Sequence, residues 1–151
     1  MPPIRKSVTI VLAEDDDDDY LLTQDAFKEA NLFNPMHRVK DGEELVQYLY
    51  RRGQYENQGP LSWPLLVLLD LNMPKKDGRE ALKEIKSHPR LRRIPVIVLT
   101  TSRAEEDLVR TYDLGANSFI RKPIGFSELV ELAQTLGQYW FDLIEFPPHL
   151  Y

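Results

Sequence analysis

Five aspartates in a row, Asp15 to Asp19, follow Glu14 and the apolar run "VTIVLA". Such a run can be a solvated charge cluster, the start of a helix, or part of a cation site. Three other apolar runs also stop on residues able to do chemistry. "LLVLLD" ends on Asp70, "IPVIVLTTS" passes through Thr100, and "SFIRKP" ends on Lys122 before a proline. If these runs are strands of one open α/β sheet, their carboxyl ends are where a ligand binds. Glu14, Asp15 and Asp70 would then converge, and three carboxylates at one sheet edge cannot all stay ionised without a cation among them. A hard divalent ion with oxygen ligands relieves the repulsion, Mg²⁺ first and Mn²⁺ as the substitute. Thr100 adds a hydroxyl donor and Lys122 a compact positive charge that can pair with phosphate. Carboxylates, a divalent ion, a hydroxyl and an ammonium are together what holds and neutralises a phosphoryl group.

The elements that must position these residues are legible as periods. Val8–Ala13, Leu65–Asp70 and the "IPVIVLTTS" run are continuous and apolar, as strands of a parallel sheet buried on both faces are. Met36–Val39 and "SFIRKP" read as shorter strands. Between them helical spacing recurs: Leu22, Ala26 and Ala30 with Leu21 and Phe27 beside them; Leu45, Val46 and Leu49, with Gly53 as the C-terminal stop; Ala81, Leu82 and Ile85; and "AEEDLVRTYDLGA", closed by Gly115. A last helix is expected from about Phe126 to about Ile144. Strand and helix alternate five times, which predicts a parallel α/β sheet with helices on both faces. Asp16 to Asp19 fit a first helical turn, where acidic side chains face the positive end of the helix dipole. A calcium loop of the EF-hand type is excluded, because the sixth position counted from Asp15 is Tyr20 rather than Gly and the twelfth is Ala26 rather than Glu.

Composition narrows the function classes. The chain has 151 residues, 42% of them hydrophobic and 28% charged, and a net charge of −5. One domain over 1–151 is expected, with 137–151 as a C-terminal extension. The negative balance and scattered Arg and Lys argue against nucleic acid as the main partner. The absence of cysteine excludes thiol chemistry and Cys-based metal sites. The N-terminal apolar run is too short for a signal peptide or membrane span, so a soluble cytoplasmic protein without a membrane partner is expected. His37, His88 and His149 are far apart and give little support to a histidine catalyst or zinc site.

"LAEDD", "LLDLNMPKKDG", "PVIVLTTS" and "FIRKP", in that order, resemble the motifs of two-component response-regulator receiver domains, and the resemblance covers nearly the whole chain. It implies a flavodoxin-like, doubly wound sheet of five parallel strands in the order 2-1-3-4-5 with five helices, the last one extended. It also implies that Asp70 accepts the phosphoryl group, that Glu14 and Asp15 are the acidic pair with Asp15 the direct metal ligand, and that Asn72 lends its backbone carbonyl to the metal. Thr100 and Lys122 would bind phosphoryl oxygens, and Thr100 and Phe119 would form the switch. The Lys122–Pro123 bond is expected cis. Asn72 and Ser102 flank the route of the attacking water and, with Thr101, are expected to tune the phosphate's lifetime. Thr101 departs from the small residue that many receivers carry there, which would narrow access to Asp70. "GQYEN", "LNMPKKDGREAL", "RIPVIVLTTS" and "QYWFDLIEF" look like the response regulators partnered with cyanobacterial bacteriophytochrome kinases.

The function these residues imply is a stand-alone, phosphorylation-activated switch that takes its phosphoryl group from a sensor histidine kinase of the phytochrome type. It would catalyse only its own phosphorylation and dephosphorylation and signal through a partner or a dimer. Two other readings compete with it. A Mg²⁺-dependent phosphohydrolase with Asp70 as nucleophile would need an aspartate two residues later as general acid, where this chain has Asn72. A scaffold acting by binding alone is the other. In the last helix Leu129, Leu132, Ala133, Leu136, Trp140, Leu143 and Ile144 form one stripe that can face the domain. Tyr139, Phe141 and Phe146 lie off that stripe and are expected to make a homodimer contact; the competing expectation is that the tail folds back on its own domain.

Overall fold

The computed structural model describes residues 7–148 and residue 150; His149 and the ends of the 1–151 span lie outside the described residues. The apolar runs form five strands: β1 (Thr9–Ala13), β2 (Met36–Val39), β3 (Leu65–Leu69), β4 (Val96–Thr100) and β5 (Ser118–Arg121). All pair in parallel, in the order β2-β1-β3-β4-β5. The order reverses at β1, so the carboxyl ends of β1 and β3 flank the switch point where such sheets bind ligands.

Helices α1 (Asp17–Glu29), α2 (Gly42–Tyr50), α3 (Gly78–Ser87), α4 (Glu105–Asp113) and α5 (Phe126–Gly137) connect the strands. Alternate strand residues feed two cores. Val11, Val67, Leu69 and Val98 pack with Leu45, Leu49, Ala81, Leu82 and Ile85 of α2 and α3. Ile10, Leu12, Leu66, Leu68 and Ile97 pack with Phe27 of α1 and Ala133 and Leu136 of α5. No helix among the described residues is long and apolar enough to cross a membrane.

The acidic run starts α1. Asp16 is the N-cap, its side chain accepting from the Asp19 amide at 2.9 Å, and Asp17, Asp18 and Asp19 fill the first turn. The buried face of α1 is Thr23, Ala26 and Phe27, while Leu21 and Leu22 are exposed. Ala26 and Phe27 thus lie inward as their spacing predicts, and in the turn before them Thr23 takes the inward place expected of Leu21 and Leu22, its hydroxyl satisfied by donating to the Asp19 carbonyl at 2.8 Å. At the end of α2 it is Arg51, not Gly53, that takes the left-handed cap position, at φ 55°, with its guanidinium stacked over the Tyr48 ring.

The last helix departs most from its sequence period. After Gly137 the chain winds as a π-helix over Gln138–Leu143, and the Ile144 amide reaches back five residues to the Tyr139 carbonyl at 2.9 Å. The wider turn rotates every following side chain relative to an α-helix. Phe141 swings inward and is 3% exposed, whereas Leu143 swings out and is 71% exposed. Phe146 packs edge-on against Trp63 of the same chain. The Trp63 indole donates to the Pro147 carbonyl at 2.7 Å, and Leu150 is buried in the core under α2 and α3. Phe141 is thus domain core rather than an exposed contact residue, Phe146 is a half-buried anchor of the tail, and the described part of the tail folds back on its own domain. Of the three aromatics expected at a dimer contact, Tyr139 is exposed, at 48%.

Candidate functional site

Strand register builds the site. Ala13 pairs with Leu69, so Glu14 and Asp70 are each the first residue past a paired position and emerge side by side. Asp70's amide donates to the Ala13 carbonyl at 3.1 Å and Glu14's to the Val39 carbonyl at 3.0 Å, which carries the sheet's order one residue beyond its strands. Asp15 follows on the turn into α1. One carboxylate oxygen from each of Glu14, Asp15 and Asp70 lies within 4.8 Å of the others.

The three carboxylates differ in surroundings. Glu14 is 3% exposed, and Lys122 Nζ sits 3.0 Å from its Oε2 while Asp16's amide donates to its Oε1 at 3.2 Å. Burial pushes the Glu14 carboxyl up, Lys122 pulls it down and Asp70 pushes it up again, for a value of about 7. Asp15 is exposed and Asp70 half-buried. An all-oxygen cluster of this kind, open on one side, suits a hard divalent cation that keeps several waters.

Thr100 is the last residue of β4, fully buried, and its Oγ1 donates to Asp70 Oδ1 at 3.1 Å. Asn72's amide donates to the same oxygen at 3.3 Å, with the Asn72 side chain exposed. Helix α3 starts against the backbone of Asp70: a Cβ on Gly78 would lie 2.5 Å from the Asp70 carbonyl oxygen, so only glycine permits this approach. Lys122 reaches Glu14 from the far strand and stands 3.8 Å from Asp19. The acidic run therefore reaches the site through a second member, Asp19, besides Asp15. Thr101 is exposed, and Ser102 is half-buried with its amide donating to Thr100 Oγ1 at 3.3 Å.

The structure thus gathers Glu14, Asp15, Asp70, Asn72, Thr100, Ser102 and Lys122 at one edge. Phe119 is half-buried on β5 and packs against the core under α2 and α3. The Lys122–Pro123 bond corrects the expectation of a cis peptide: among the described residues the cis bond is Trp63–Pro64. Lys122's amide continues the sheet by donating to the Thr100 carbonyl at 2.7 Å, which the trans bond, the ordinary preference of X–Pro, accommodates. Sequence reasoning missed Arg79 and Asp107, which lie in helices with no strand-end signal and meet beside Ser102.

A five-stranded parallel sheet with a carboxylate cluster, a buried hydroxyl and a lysine at its switch point is the architecture of the receiver class. The family model of the response regulator receiver domain matches residues 10–134, and the chain belongs to that family. It is 39% identical over 138 residues to response regulator Rcp1 of Synechocystis sp., covering 91% of this chain and 92% of the relative. The phosphorylated cyanobacterial phytochrome response regulator RcpA superposes with a TM-score of 0.83 at 41% identity, over 92% of this chain and 97% of that one. The Mn²⁺-bound form of Rcp1 superposes with a TM-score of 0.81 at 38% identity, over 92% and 98% of the two chains.

Proposed function

We propose that this receiver accepts a phosphoryl group on Asp70 from a sensor histidine kinase of the phytochrome class and changes shape in response. The observation that carries the reading is the convergence of Asp70, Glu14, Asp15, Thr100 and Lys122 at one sheet edge. An Asp70 carboxylate oxygen attacks phosphorus; the new O–P bond forms as the donor's N–P bond breaks, and the imidazole leaves with the electron pair and takes a proton from water. Glu14, Asp15, Asp70 and the Asn72 carbonyl would hold Mg²⁺, or Mn²⁺, which supplies charge neutralisation for the phosphoryl oxygens. The protein's own part is positioning and electrostatics, since phosphoryl transfer leaves little covalent work beyond the nucleophile. Thr100 donates to one phosphoryl oxygen, and Lys122 exchanges part of its bond to Glu14 for another. The movement of Thr100 frees space that Phe119 turns to fill, so the face around β5 changes and a partner preferring one state reads it. Asn72, Thr101 and Ser102 set the lifetime of the acyl phosphate. As partner of an ATP-using kinase domain the protein works in the cytoplasm.

Pairing of two copies is the other route for output, supported by exposed Tyr139 and Leu143 on the π-helical turn. The phytochrome assignment rests on the relatives at 39% and 41% identity. Its test is phosphotransfer from autophosphorylated histidine kinases at equal concentration. Faster transfer from a bacteriophytochrome kinase than from kinases of other sensor classes is the predicted result, and indifference among them refutes the phytochrome assignment.

A further inference from the structure

Two loops flank Asp70, and a single ion pair ties them together. Arg79, the second residue of α3, follows the glycine seated on the Asp70 backbone. Its Nε and Nη2 both donate to Asp107 Oδ1, each at 2.7 Å. The other oxygen, Asp107 Oδ2, accepts from Ser102 Oγ at 2.6 Å. Ser102's amide donates to Thr100 Oγ1, and Thr100 donates to Asp70. The guanidinium and the Ser102 hydroxyl thus converge on Asp107, while the Ser102 amide and the Thr100 hydroxyl link the same loop to the phosphoacceptor's own oxygen.

The start of α4 depends on this contact. Its N-cap is Ala104, a poor capping residue, and no side chain caps the helix there. Ser102 Oγ accepts from the Ala104 amide at 3.4 Å instead. The pair is more than a surface ornament: the side chains of Arg79 and Asp107 are 18% and 15% exposed, and the bonds are charge-assisted. Burial pushes the Asp107 carboxyl up, and the bonds from Ser102 and Arg79 outweigh it, holding the group below its ordinary range.

We propose that Arg79 and Asp107 are positioning residues that hold Ser102, and through its amide the Thr100 hydroxyl, beside Asp70, and so set the rate at which Asp70 is phosphorylated. The proposal rests on the reading of Asp70 as phosphoacceptor. Without the latch the β4–α4 loop loses its tie to α3, and Thr100 must be ordered anew in each transition state instead of standing ready. Arg79 touches no reacting atom; besides a 3.9 Å ion pair with the α3 cap residue Asp77, its path to Thr100 runs through Asp107 and Ser102, which gives it a signature that general destabilisation lacks.

The test is a double-mutant cycle on the full chain, reading the rate of phosphorylation by acetyl phosphate at saturating Mg²⁺. Arg79→Ala and Ser102→Ala should each slow phosphorylation about tenfold, the equivalent of one charge-assisted hydrogen bond. In the Ser102→Ala background, Arg79→Ala should cost less than about twofold more, because the two act through one path. Mg²⁺ affinity should stay within about twofold of wild type in all variants, since no metal-holding residue is touched. A wild-type rate in Arg79→Ala, or effects of the two substitutions that multiply, overturns the latch. If Arg79→Ala does not fold, Asp107→Asn, which keeps the side chain's shape and removes its charge, takes its place in the cycle with the same predictions. Wild type that takes no phosphoryl group refutes the phosphoacceptor reading itself; normal wild-type kinetics with unaffected variants refutes the latch alone.

Discussion

Glu14 makes stability depend on pH in a direction opposite to that of most carboxylates. An acidic group stabilised in its charged form lowers its pKa on folding and supports the fold at high pH. Glu14 is raised from 4.5 to about 7, first by burial and then by Asp70, with Lys122 opposing both. Between those two values the folded, metal-free protein holds a proton that the unfolded chain has released. Stability supplied by this group is therefore complete below pH 4.5 and is lost as pH climbs through about 7. A full unit of proton difference gives a slope of about 1.4 kcal/mol per pH unit, so the whole excursion is worth at most about 3.5 kcal/mol. Divalent cation binding needs Glu14 deprotonated and offsets the same repulsion, so added Mg²⁺ should stabilise the protein more at about pH 8 than at about pH 5. Urea denaturation at several pH values, with and without Mg²⁺, reads both effects, and Glu14→Gln separates this residue from the other titrating groups. The variant should lose the negative slope and most of the Mg²⁺ response. Equal slopes in variant and wild type, or the same Mg²⁺ stabilisation at both ends of the range, would refute the electrostatic account of the site.

Further outcomes follow from the packing. Phe141→Ala should cost about 3–5 kcal/mol, the usual penalty for emptying a buried aromatic site, with no change in sedimenting mass; a stable variant of altered mass would return Phe141 to an interface. Trp63→Phe keeps the ring contact with Phe146 and removes the bond to the Pro147 carbonyl. It should cost about 1 kcal/mol and speed amide exchange in the tail while leaving Asp70 phosphorylation unchanged; unchanged tail exchange would show that the indole bond does not hold the segment.

The sheet and the heart of the site were legible because each strand announces its end with a change of chemistry: apolar up to Ala13, Leu69 and Leu99, then Glu14, Asp70 and Thr100. A continuous apolar run buried on both faces leaves few other structures open. In α1 Ala26 and Phe27 face inward as their spacing predicts, but Leu21 and Leu22 do not, because Thr23, polar by type, takes the inward place with its hydroxyl bonded to its own helix. The inward turn of Phe141 had no signal in an α-helical period, since it is created by the π-helical winding that begins after Gly137. Arg79 and Asp107 are 28 residues apart on two helices, and each alone reads as an ordinary surface charge. Only the packing of α3 beside α4's first turn joins them.

The central claim is that Asp70 carries the phosphoryl group and needs its carboxylate neighbours and a divalent ion to take it. Intact mass after incubation with acetyl phosphate, with and without Mg²⁺, tests it most directly when run beside Asp70→Asn. The account predicts a gain of one phosphoryl group in the wild type, only with Mg²⁺, and none in the variant. An equal gain in Asp70→Asn, or no gain in the wild type under any condition, would contradict it.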